Sequence, residues 1–528
     1  MERLMASSSS NGGPAPLTGV SLALAAVALA LGTFMQVLDS TIANVALPTI
    51  AGNLGVASDQ GTWVITSFAV ANGISVPLTG WLMMRFGVVR TFVVSVALFT
   101  LASFLCGIAW NLPSLILFRI LQGAVSGPMI PGSQALLIMI FPPDKRSTAL
   151  GVWSMTTLVA PVLGPILGGW ISDNFAWEWI FLINVPVGIA CTWICWRFMH
   201  NRETATVARK LNLVSFSLLV FWVGTLQLVL DTGKDADWFN SAHIVILSLL
   251  ALIGFVAWLI WELHENNPVV DLTLFKSRNF AFGVIALCAA YAVFFGNNLL
   301  MPLWLQTNMG YVATWAGLAA APSGVVAVFL TPFVAKISNR IDARIMATIS
   351  LLLFALSFYM RSLYSPDIDF GHLILPMFIM GAAMSAFFTS MITVSFRDVA
   401  PHQMPAASGL SNFARITAGS FAASLTTTLW DNYETHALNN ISGAMAGGGG
   451  GGNSGGSGGV DQVVYQLMQM GMSHAQAVAA ITRQVSQQAY LLATVDIFRI
   501  SSIIIVCLIP LIWLSRKAMA NGQVHAAD

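Results

Sequence analysis

Charged side chains are scarce in this chain of 528 residues. Asp, Glu, Lys and Arg together make up 9% of the sequence, whereas a soluble globular domain carries about 25%. Apolar residues make up 56%, and the mean hydropathy is +0.77. So little charge cannot cover the surface of a soluble domain, which leaves a protein whose surface faces lipid.

Cysteine is rare as well. The five cysteines all fall inside apolar segments, and Cys191 and Cys195 stand one helical turn apart without partners for a zinc site. We expect ordinary buried cysteines and no metal. The chain also lacks HExxH and GxSxG, and its eight histidines stand singly. An intramembrane enzyme needs such a constellation, so no catalytic residue is expected.

In place of charge, the sequence has long uncharged runs. A membrane-spanning helix needs about 20 mostly apolar residues. Run 279–335 has 57 residues and must therefore hold two spans, with a turn near 308–310. A second turn is expected at 111–113. The whole series predicts about fourteen helices, and hence an all-α polytopic membrane protein.

The basic residues indicate the orientation of these helices. With both termini on one side, that side carries 17 of the 23 Lys and Arg residues. The other side would hold three, among them Arg361, and the remaining three lie in spans. Because cytoplasmic connections are rich in Lys and Arg, both termini are expected in the cytoplasm.

An internal repeat divides the chain. Gly123 and Gly151, in helices 4 and 5, recur 258 residues later as Gly381 and Gly409, in helices 12 and 13. Helix n thus matches helix n+8, which predicts two six-helix bundles separated by two extra helices. Parallel repeats of this kind place a substrate path between the halves.

The repeat sets the expected domain boundaries. They are a flexible cytoplasmic tail (1–17), an N-terminal bundle (18–198), two extra helices (199–277), a C-terminal bundle (278–514) and a second tail (515–528).

The C-terminal bundle contains a hydrophilic insertion at 431–492 on the side opposite the termini. Its Gly- and Ser-rich part, 447–459, predicts a disordered linker. Residues 473–490 read as an amphipathic helix with Ser473 as a possible N-cap and a stripe of Ala477, Ile481 and Val485. The stripe either caps the rim of the bundle or docks a partner protein.

One carboxylate stands out in the first helix. Val20 to Leu38 contains no charged residue, and Asp39 follows directly. If this helix ends near Pro48, Asp39 lies about 13 Å below the outer surface, too deep to reach water. Since burial favours the protonated form of a carboxyl, we predict that Asp39 holds and releases a proton. A polar helix end bonded to local backbone is the alternative.

Arg119 enters the fourth helix six residues past Pro113, about 9 Å from the same surface. Its depth matches that of Asp39. The pair either neutralises two charges only, or protonation of Asp39 frees the arginine. The corresponding place in helix 12, near Met377, has no charge, so proton chemistry is expected in the N-terminal half.

Five ordered motifs carry a family resemblance. They are "LDSTIANVALPTIAGNLG" (38–55), "FRILQGAVSGPMIP" (118–131), "APVLGPILGGW" (160–170), "WEWIFLINVPVG" (177–188) and "LSNFARITAGS" (410–420). In this set and order, the chain closely resembles the EmrB-type, 14-helix drug/proton antiporters of the major facilitator superfamily. One departure is the loop "GWLMMRFGVVR" (80–90), in which Met84 stands where the superfamily usually has an acid.

The resemblance implies proton-coupled multidrug efflux by alternating access from the inner membrane of a Gram-negative bacterium, as in antibiotic resistance. It also implies a periplasmic membrane-fusion adaptor and an outer-membrane channel as partners in a tripartite pump. Hydrophobic or cationic drugs and uncouplers are the expected substrates. We expect no cofactor beyond the proton gradient and no nucleic acid. Proton-coupled symport of a small nutrient is the alternative, against which the helix-5 Gly-Pro motif and the two extra helices argue.

Two sets of residues are candidates beside the proton pair. Aromatic and amide side chains could line an apolar cavity with a few polar anchors. For any one of the aromatic residues, ordinary helix packing is the alternative. For Arg415, a structural role is as well supported as a role in substrate binding. This set comprises Gln36, Tyr291, Phe294, Asn297, Asn298, Phe387, Phe388, Met391, Asn412 and Arg415. A second set, in the loop and Gly-Pro motifs, is expected to serve conformational change because small residues let helices approach closely. It comprises Gly80, Arg85, Gly87, Gly164, Pro165, Gly168 and Gly169.

Overall fold

The apolar runs form long helices that cross the molecule side by side. The computed structural model describes residues 17–516 apart from 57, 62, 143–144, 209, 266–267, 312, 339, 366–367, 401–402 and 448–457. Within these ranges the chain forms α-helices, short 3-10 turns and no strand. An all-α fold is therefore confirmed.

The N-terminal bundle contains nine helical segments. They are α1 (Gly19–Leu54), α2 (Ser58–Gly61), α3 (Trp63–Phe86), α4 (Val88–Gly107), α5 (Leu112–Ser126), α6 (Met129–Ile140), α7 (Arg146–Asn174), α8 (Trp179–Leu182) and α9 (Asn184–Met199). The fourth span consists of α5 with α6, and the sixth consists of α8 with α9. The two extra helices follow as α10 (Leu213–Thr232) and α11 (Ala242–His264).

The C-terminal bundle begins after a short connection. Its helices are α12 (Arg278–Thr307), α13 (Ala313–Ser338), α14 (Ala343–Arg361), α15 (Phe370–Phe396), α16 (Met404–Gly447), α17 (Gly458–Gln469), α18 (His474–Cys507) and α19 (Ile509–Trp513). Without the short α2 and the peripheral α17, these elements make the fourteen spans. In the described part of the chain, twelve of them are long and apolar enough to cross a membrane on composition alone; α7 and α16 complete the set.

The expected turns are present, with polar caps. Asn111 caps α5: its side chain accepts a hydrogen bond from the Ser114 N–H at 2.9 Å, and the Asn111 N–H donates to the Ser114 hydroxyl oxygen. Helix α12 ends at Thr307, with Asn308 as its C-cap. Such caps satisfy backbone groups that a helix leaves free at its ends.

The expected end of the first helix is wrong. Helix α1 continues through Pro48 to Leu54 and stops at Gly55, whose φ of 66° is left-handed. Glycine adopts this conformation without strain, and the Gly55 N–H bonds back to the Gly52 carbonyl. Proline is tolerated within a membrane helix because neighbouring groups satisfy the freed carbonyl.

The insertion also differs from expectation. Helix α16 runs on to Gly447, and the expected amphipathic helix is continuous with the last span, because α18 extends from His474 to Cys507. The predicted Ser473 cap is confirmed by a capping box with Gln476. Most of the linker at 447–459 lies outside the described residues.

The repeat is visible in the packing. A Cβ added at Gly123 of α5 would lie 2.5 Å from the Phe68 carbonyl oxygen and 2.9 Å from the Ala71 Cβ on α3. Gly381 of α15 approaches α13 in the same way, against the Ser323 carbonyl and a side chain three residues later. Equivalent helices therefore meet at equivalent glycines in the two bundles.

The bundles touch each other at the face that carries both chain ends, here called the terminal face. A Cβ at Gly80 of α3 would lie 3.1 Å from the Ala406 Cα on α16. A Cβ at Gly151 of α7 would lie 2.8 Å from the Thr331 Cγ2 on α13. Glycine thus allows both pairs of helices to approach closely between the bundles.

We expect Gly123→Ala to destabilise the protein, because the new methyl group meets a backbone oxygen that cannot move away. Overpacking of this kind costs about 1–3 kcal/mol. The measurement is the thermal unfolding temperature of the purified protein in detergent. Gly224→Ala on α10, where nothing lies within 4 Å of an added Cβ, is the matched control and should not lower it. Equal unfolding temperatures for the two variants would contradict the packing account.

Candidate functional site

Asp39 and Arg119 form an ion pair inside the N-terminal bundle. The Arg119 Nη1 lies 2.6 Å from the Asp39 Oδ2, and both residues are fully buried. Asp39 comes from α1 and Arg119 from the first turns of α5. The two residues are therefore in direct contact, although the depth expected for Asp39 assumed a helix end near Pro48 and α1 runs on to Leu54.

Two amides complete the surroundings of the carboxylate. The Gln122 Nε2 donates to the Asp39 Oδ1 at 3.0 Å, and the Asn184 Nδ2 donates to the same oxygen at 2.9 Å. Both amides also donate to the Ser103 hydroxyl, which in turn donates to the Phe181 carbonyl. Asp39 thus accepts three hydrogen bonds, one of them from a cation, and this arrangement suits its ionised form.

The arginine is fixed by more than its charge. Its Nε donates to the Val64 carbonyl of α3 at 3.0 Å, and its Nη1 also donates to the Gln122 Oε1 at 2.7 Å. Its guanidinium lies 4.2 Å from the centroid of the Phe68 ring, a cation–π contact. Besides Asp39, Arg119 therefore has a carbonyl oxygen, an amide oxygen and an aromatic ring as partners, but Asp39 is its counter-ion.

Three members of this network were not predicted from the sequence: Gln122, Asn184 and Ser103. Gln122 stands three residues after Arg119, on the same face of α5, and that spacing could have indicated it. Asn184 and Ser103 are uncharged residues on separate helices, so nothing in their positions ties them to Asp39.

Four of the predicted substrate residues come together near the bundle interface. The Arg415 guanidinium lies 4.6 Å from the Tyr291 ring and 5.7 Å from the Phe388 ring, and its Nη2 donates to the Asn412 Oδ1 at 3.0 Å. Trp153, from α7 of the other bundle, packs edge-on against Phe388 with ring centroids 6.0 Å apart. Both bundles therefore contribute to this aromatic cluster around one arginine.

Polar groups join the bundles beside this cluster. The Gln134 Oε1 of α6 accepts from the Ser408 hydroxyl at 2.6 Å and from the Asn412 Nδ2 at 2.8 Å. Asn412 therefore links Arg415 to the N-terminal bundle. Gln134, Ser408 and Trp153 were not among the predicted residues.

Two more of the predicted substrate residues extend this cluster into the C-terminal bundle. The Phe294 ring lies 6.1 Å from the Tyr291 ring and the Phe387 ring lies 5.1 Å from the Phe388 ring. Both Phe294 and Phe387 also pack on Phe354 of α14. The Asn297 Nδ2 donates to the Ser501 hydroxyl of α18 at 2.8 Å. Three more residues complete the set, Met391 and Gln36 being buried and Asn298 half-buried.

The Gly-Pro motif holds α7 against α1. Gly164 faces the Thr41 side chain, and a Cβ at Gly168 would lie 2.9 Å from the Ile42 Cγ1. Gly169 has no atom within 4 Å of an added Cβ, and the side chain of Pro165 lies outside what the structure describes. Two of the three glycines are thus needed for close helix packing.

The loop after α3 is closed by an acid from elsewhere in the chain. Gly87 has a φ of 91° and leaves no room for a Cβ beside Glu203. The Glu203 carboxylate accepts hydrogen bonds from the Val89 N–H at 3.0 Å and the Arg90 N–H at 2.8 Å. Although Met84 replaces the usual acid of this loop, Glu203 caps the N-terminus of α4, where negative charge is favourable. The motif residues Gly80 and Arg85 lie in the last turns of α3, just before this loop.

Comparison with known proteins agrees with this architecture. The family model described as "Major Facilitator Superfamily" matches residues 29–423. The chain belongs to the major facilitator superfamily. It is therefore a membrane transporter and not an enzyme. It is 46% identical to the "Fatty acid resistance protein FarB" of Neisseria gonorrhoeae, over 96% of this chain and 98% of that protein.

This transporter is also 45% identical to the "Multidrug export protein EmrB" of Escherichia coli K12, again over 96% of this chain and 98% of the relative. The resemblance to EmrB-type transporters is therefore confirmed. Among solved structures, the human organic anion transporter MFSD10 shares the fold, with a TM-score of 0.55 and 12% identity, covering 94% of this chain and all of the other.

We expect Glu203→Ala to lower the thermal unfolding temperature of the transporter, because two N–H groups of α4 lose their acceptor. Loss of a helix cap costs about 0.5–2 kcal/mol. Glu203→Gln keeps one acceptor oxygen and should cost less. If Glu203→Ala is as stable as the unsubstituted protein, water replaces the cap and the carboxylate does not hold the loop.

Proposed function

We propose that this transporter exports hydrophobic compounds, including cationic drugs and weakly acidic uncouplers, in exchange for protons. Two relatives that span nearly the whole chain support export, since their names are "Multidrug export protein EmrB" and "Fatty acid resistance protein FarB". A bacterial inner membrane is the setting that these bacterial relatives favour. The observation that carries the proton coupling is the buried carboxylate of Asp39.

The bonds of Asp39 support a role in binding the proton. Its three donors suit the ionised form, and protonation would remove the charge to which Arg119 is attracted. A group that is wholly buried yet keeps its partners in place can exchange a proton when water reaches it from one side at a time. Buried ionisable residues within membrane helices often mark such proton paths.

The proposed cycle follows from this competition. The hydrogen bonds to Asp39 suit its ionised form. In the cycle, this matches the step before proton uptake. Protonation from the opposite side weakens the bonds to Arg119 and favours release of the compound. Reorientation then exposes Asp39 to the terminal face, where proton loss and binding of a new compound restart the cycle.

The terminal face is assigned to the cytoplasm. The distribution of basic residues supports this, since the topology expected from the sequence puts 17 of the 23 on that side. Export then runs away from the terminal face, and protons enter toward it. Neither step requires a cofactor other than the proton gradient.

The aromatic cluster around Arg415 is the proposed substrate-binding region. Tyr291 and Phe388 offer ring faces to apolar compounds, and Trp153 brings in the other bundle. A compound bound here would contact both halves and would sense their relative movement. The arginine is engaged by Asn412 and the rings, and it adds a positive group that suits weak acids.

A periplasmic adaptor and an outer-membrane channel are the proposed partners. The insertion offers a surface for the adaptor, because several apolar side chains of α17 and the following turn are exposed. Met470 is 80% exposed and Tyr465 is 62% exposed. The stripe itself turns inward: Ala477 is buried, and Ile481 and Val485 are half-buried. Capping of the rim is therefore favoured for the stripe, and docking for the exposed patch.

We expect Asp39→Asn to abolish transport driven by a pH gradient in proteoliposomes, because an amide cannot take up and release the proton. Asp39→Glu should keep partial activity with a shifted pH optimum. Asp496→Asn, which removes a half-exposed carboxylate paired with Arg499 on α18, is the matched control and should transport normally. Uphill export by Asp39→Asn at a rate close to that of the unsubstituted protein would show that Asp39 is not the coupling group.

The same assay separates the proposal from nutrient symport. The imposed pH gradient has its acidic side at the face opposite the terminal face, so protons move toward the terminal face. In antiport, the compound then moves away from the terminal face. In symport, it moves toward the terminal face together with the protons. The direction of substrate movement therefore decides between the two readings without any variant.

We expect the double variant Tyr465→Ser and Met470→Asp to weaken co-purification of the adaptor, because the charge disrupts an exposed apolar patch. Thermal stability should remain unchanged, since both side chains face solvent. Ala477→Asp is the matched comparison and should lower the unfolding temperature instead. Full recovery of the adaptor with the double variant would place its binding surface elsewhere.

A further inference from the structure

Arg361 is a buried cation that forms no ion pair with any described residue. Its place in the sequence predicts a connection on the side opposite the termini, but the structure corrects this: it is the last residue of α14 and is 1% exposed. Its Nη2 donates to two sulfur atoms, Met377 Sδ at 3.0 Å and Met380 Sδ at 3.2 Å. Within the described residues, its Nε and Nη1 have no hydrogen-bond partner, and it belongs to none of the ion pairs found there.

The repeat places Arg361 and its described neighbours at positions equivalent to the Asp39 site. The offset of 258 residues that relates the glycines maps Ser103 onto Arg361, Arg119 onto Met377 and Gln122 onto Met380. The same offset maps Asp39 onto Asn297. The C-terminal bundle therefore keeps one cation at the place of the proton site, moved to the neighbouring helix, and has an amide where the acid would stand.

Contacts with the last span support this equivalence. Asp39 is bonded to Asn184 of the sixth span, and Asn297 is bonded to Ser501 of the fourteenth. Arg361 lies 5.5 Å from the Phe498 ring, which stands one turn before Ser501 on α18. Arg361 and Asn297 thus face neighbouring positions of the same helix.

Other donors in this region also lack partners. Trp304 is fully buried in the same apolar cluster as Met377 and Phe498, and its Nε1 has no hydrogen-bond partner among the described residues. The Trp304 ring stacks on Tyr364, which packs against Phe498. The Trp304 Nε1 and the Arg361 Nε and Nη1, all donors, therefore have no acceptor among the described residues in this part of the bundle.

A lone buried guanidinium is costly, because arginine keeps its charge at physiological pH. Thioether sulfur is a weak acceptor, and the rings of Phe358 and Phe498 offset only part of the cost. We propose that Arg361 binds a small monovalent anion, either a halide or the carboxylate group of an organic acid, between α14, α15 and α18. The anion takes the place that the acid has in the other bundle. This inference does not depend on proton coupling or on the direction of transport.

Anion binding is tested by thermal unfolding of the full-length protein in detergent. At fixed ionic strength, sodium chloride replaces sodium isethionate, whose anion is larger. We expect a saturable rise of the unfolding temperature by a few degrees, because a ligand that binds only the folded state stabilises it. Arg361→Gln should lose this rise. Arg499→Gln, which removes a half-exposed arginine from α18, should keep it and so corrects for general salt effects.

A second titration distinguishes the two sources of the anion. If a carboxylate group is the occupant, sodium hexanoate should saturate the stabilisation at a lower concentration than chloride or bromide. If a halide is the occupant, the order should be reversed. Both responses must disappear in Arg361→Gln.

A direct measurement covers the case in which Arg361→Gln does not fold. The ³⁵Cl NMR line of chloride should broaden with the unsubstituted protein, and bromide should reverse the broadening. Arg361→Lys keeps a cation but not the planar fork of donors, so it should need more chloride for the same effect. Equal chloride stabilisation of the unsubstituted protein and Arg361→Gln would overturn the proposal. The proposal would also be overturned if the unsubstituted protein did not broaden the chloride line. Water would then be the group that solvates the guanidinium.

Discussion

The contact between Asp39 and Arg119 holds the N-terminal bundle together around one buried charge pair. Their direct partners come from α1, α3, α5 and α9, so four helices meet at these two side chains, and Ser103 adds α4 through its bonds to Gln122 and Asn184. Removing one member of a buried ion pair leaves an uncompensated charge and costs about 3–5 kcal/mol. The packing of these helices therefore depends on both charges being present.

The two bundles share their packing but not their charges. Equivalent glycines, Gly123 and Gly381, bring equivalent helices together. One bundle then places a satisfied acid in its centre, and the other places Arg361 among sulfur atoms and aromatic rings. Identical backbone packing permits this difference, because helix contacts depend on small residues whereas the buried polar groups occupy separate positions.

Of the two extra helices, α10 contacts both bundles. A Cβ at Gly73 of α3 would lie 3.4 Å from the Val223 Cγ1 of α10. On the other side, Trp222 of α10 packs on Phe413 of α16, with ring centroids 5.9 Å apart, and the Ser424 hydroxyl donates to the Leu230 carbonyl at 2.8 Å. The Glu262 carboxylate accepts bonds from Ser215 and from the Val270 N–H, which fixes α11 to α10 and to the following connection. These contacts reinforce the side of the molecule without reaching Asp39.

The sequence by itself determined the spans and their turns and marked Asp39 and Arg119 as buried charges, because the length of an apolar run and the capping residues are local signals. It misplaced the end of α1, and with it the expected depth of Asp39, as well as the surroundings of Arg361. Nothing in the sequence indicated Asn184 and Ser103, which are uncharged residues on separate helices, whereas the spacing of Gln122 from Arg119 could have indicated that residue. Only tertiary structure distinguished the surroundings of Phe387 and Phe388, whose rings contact each other. Adjacent residues point about 100° apart on a helix, so Phe387 also packs on Phe354 of its own bundle and Phe388 on Trp153 of the other. Which face meets which neighbour is decided by packing alone.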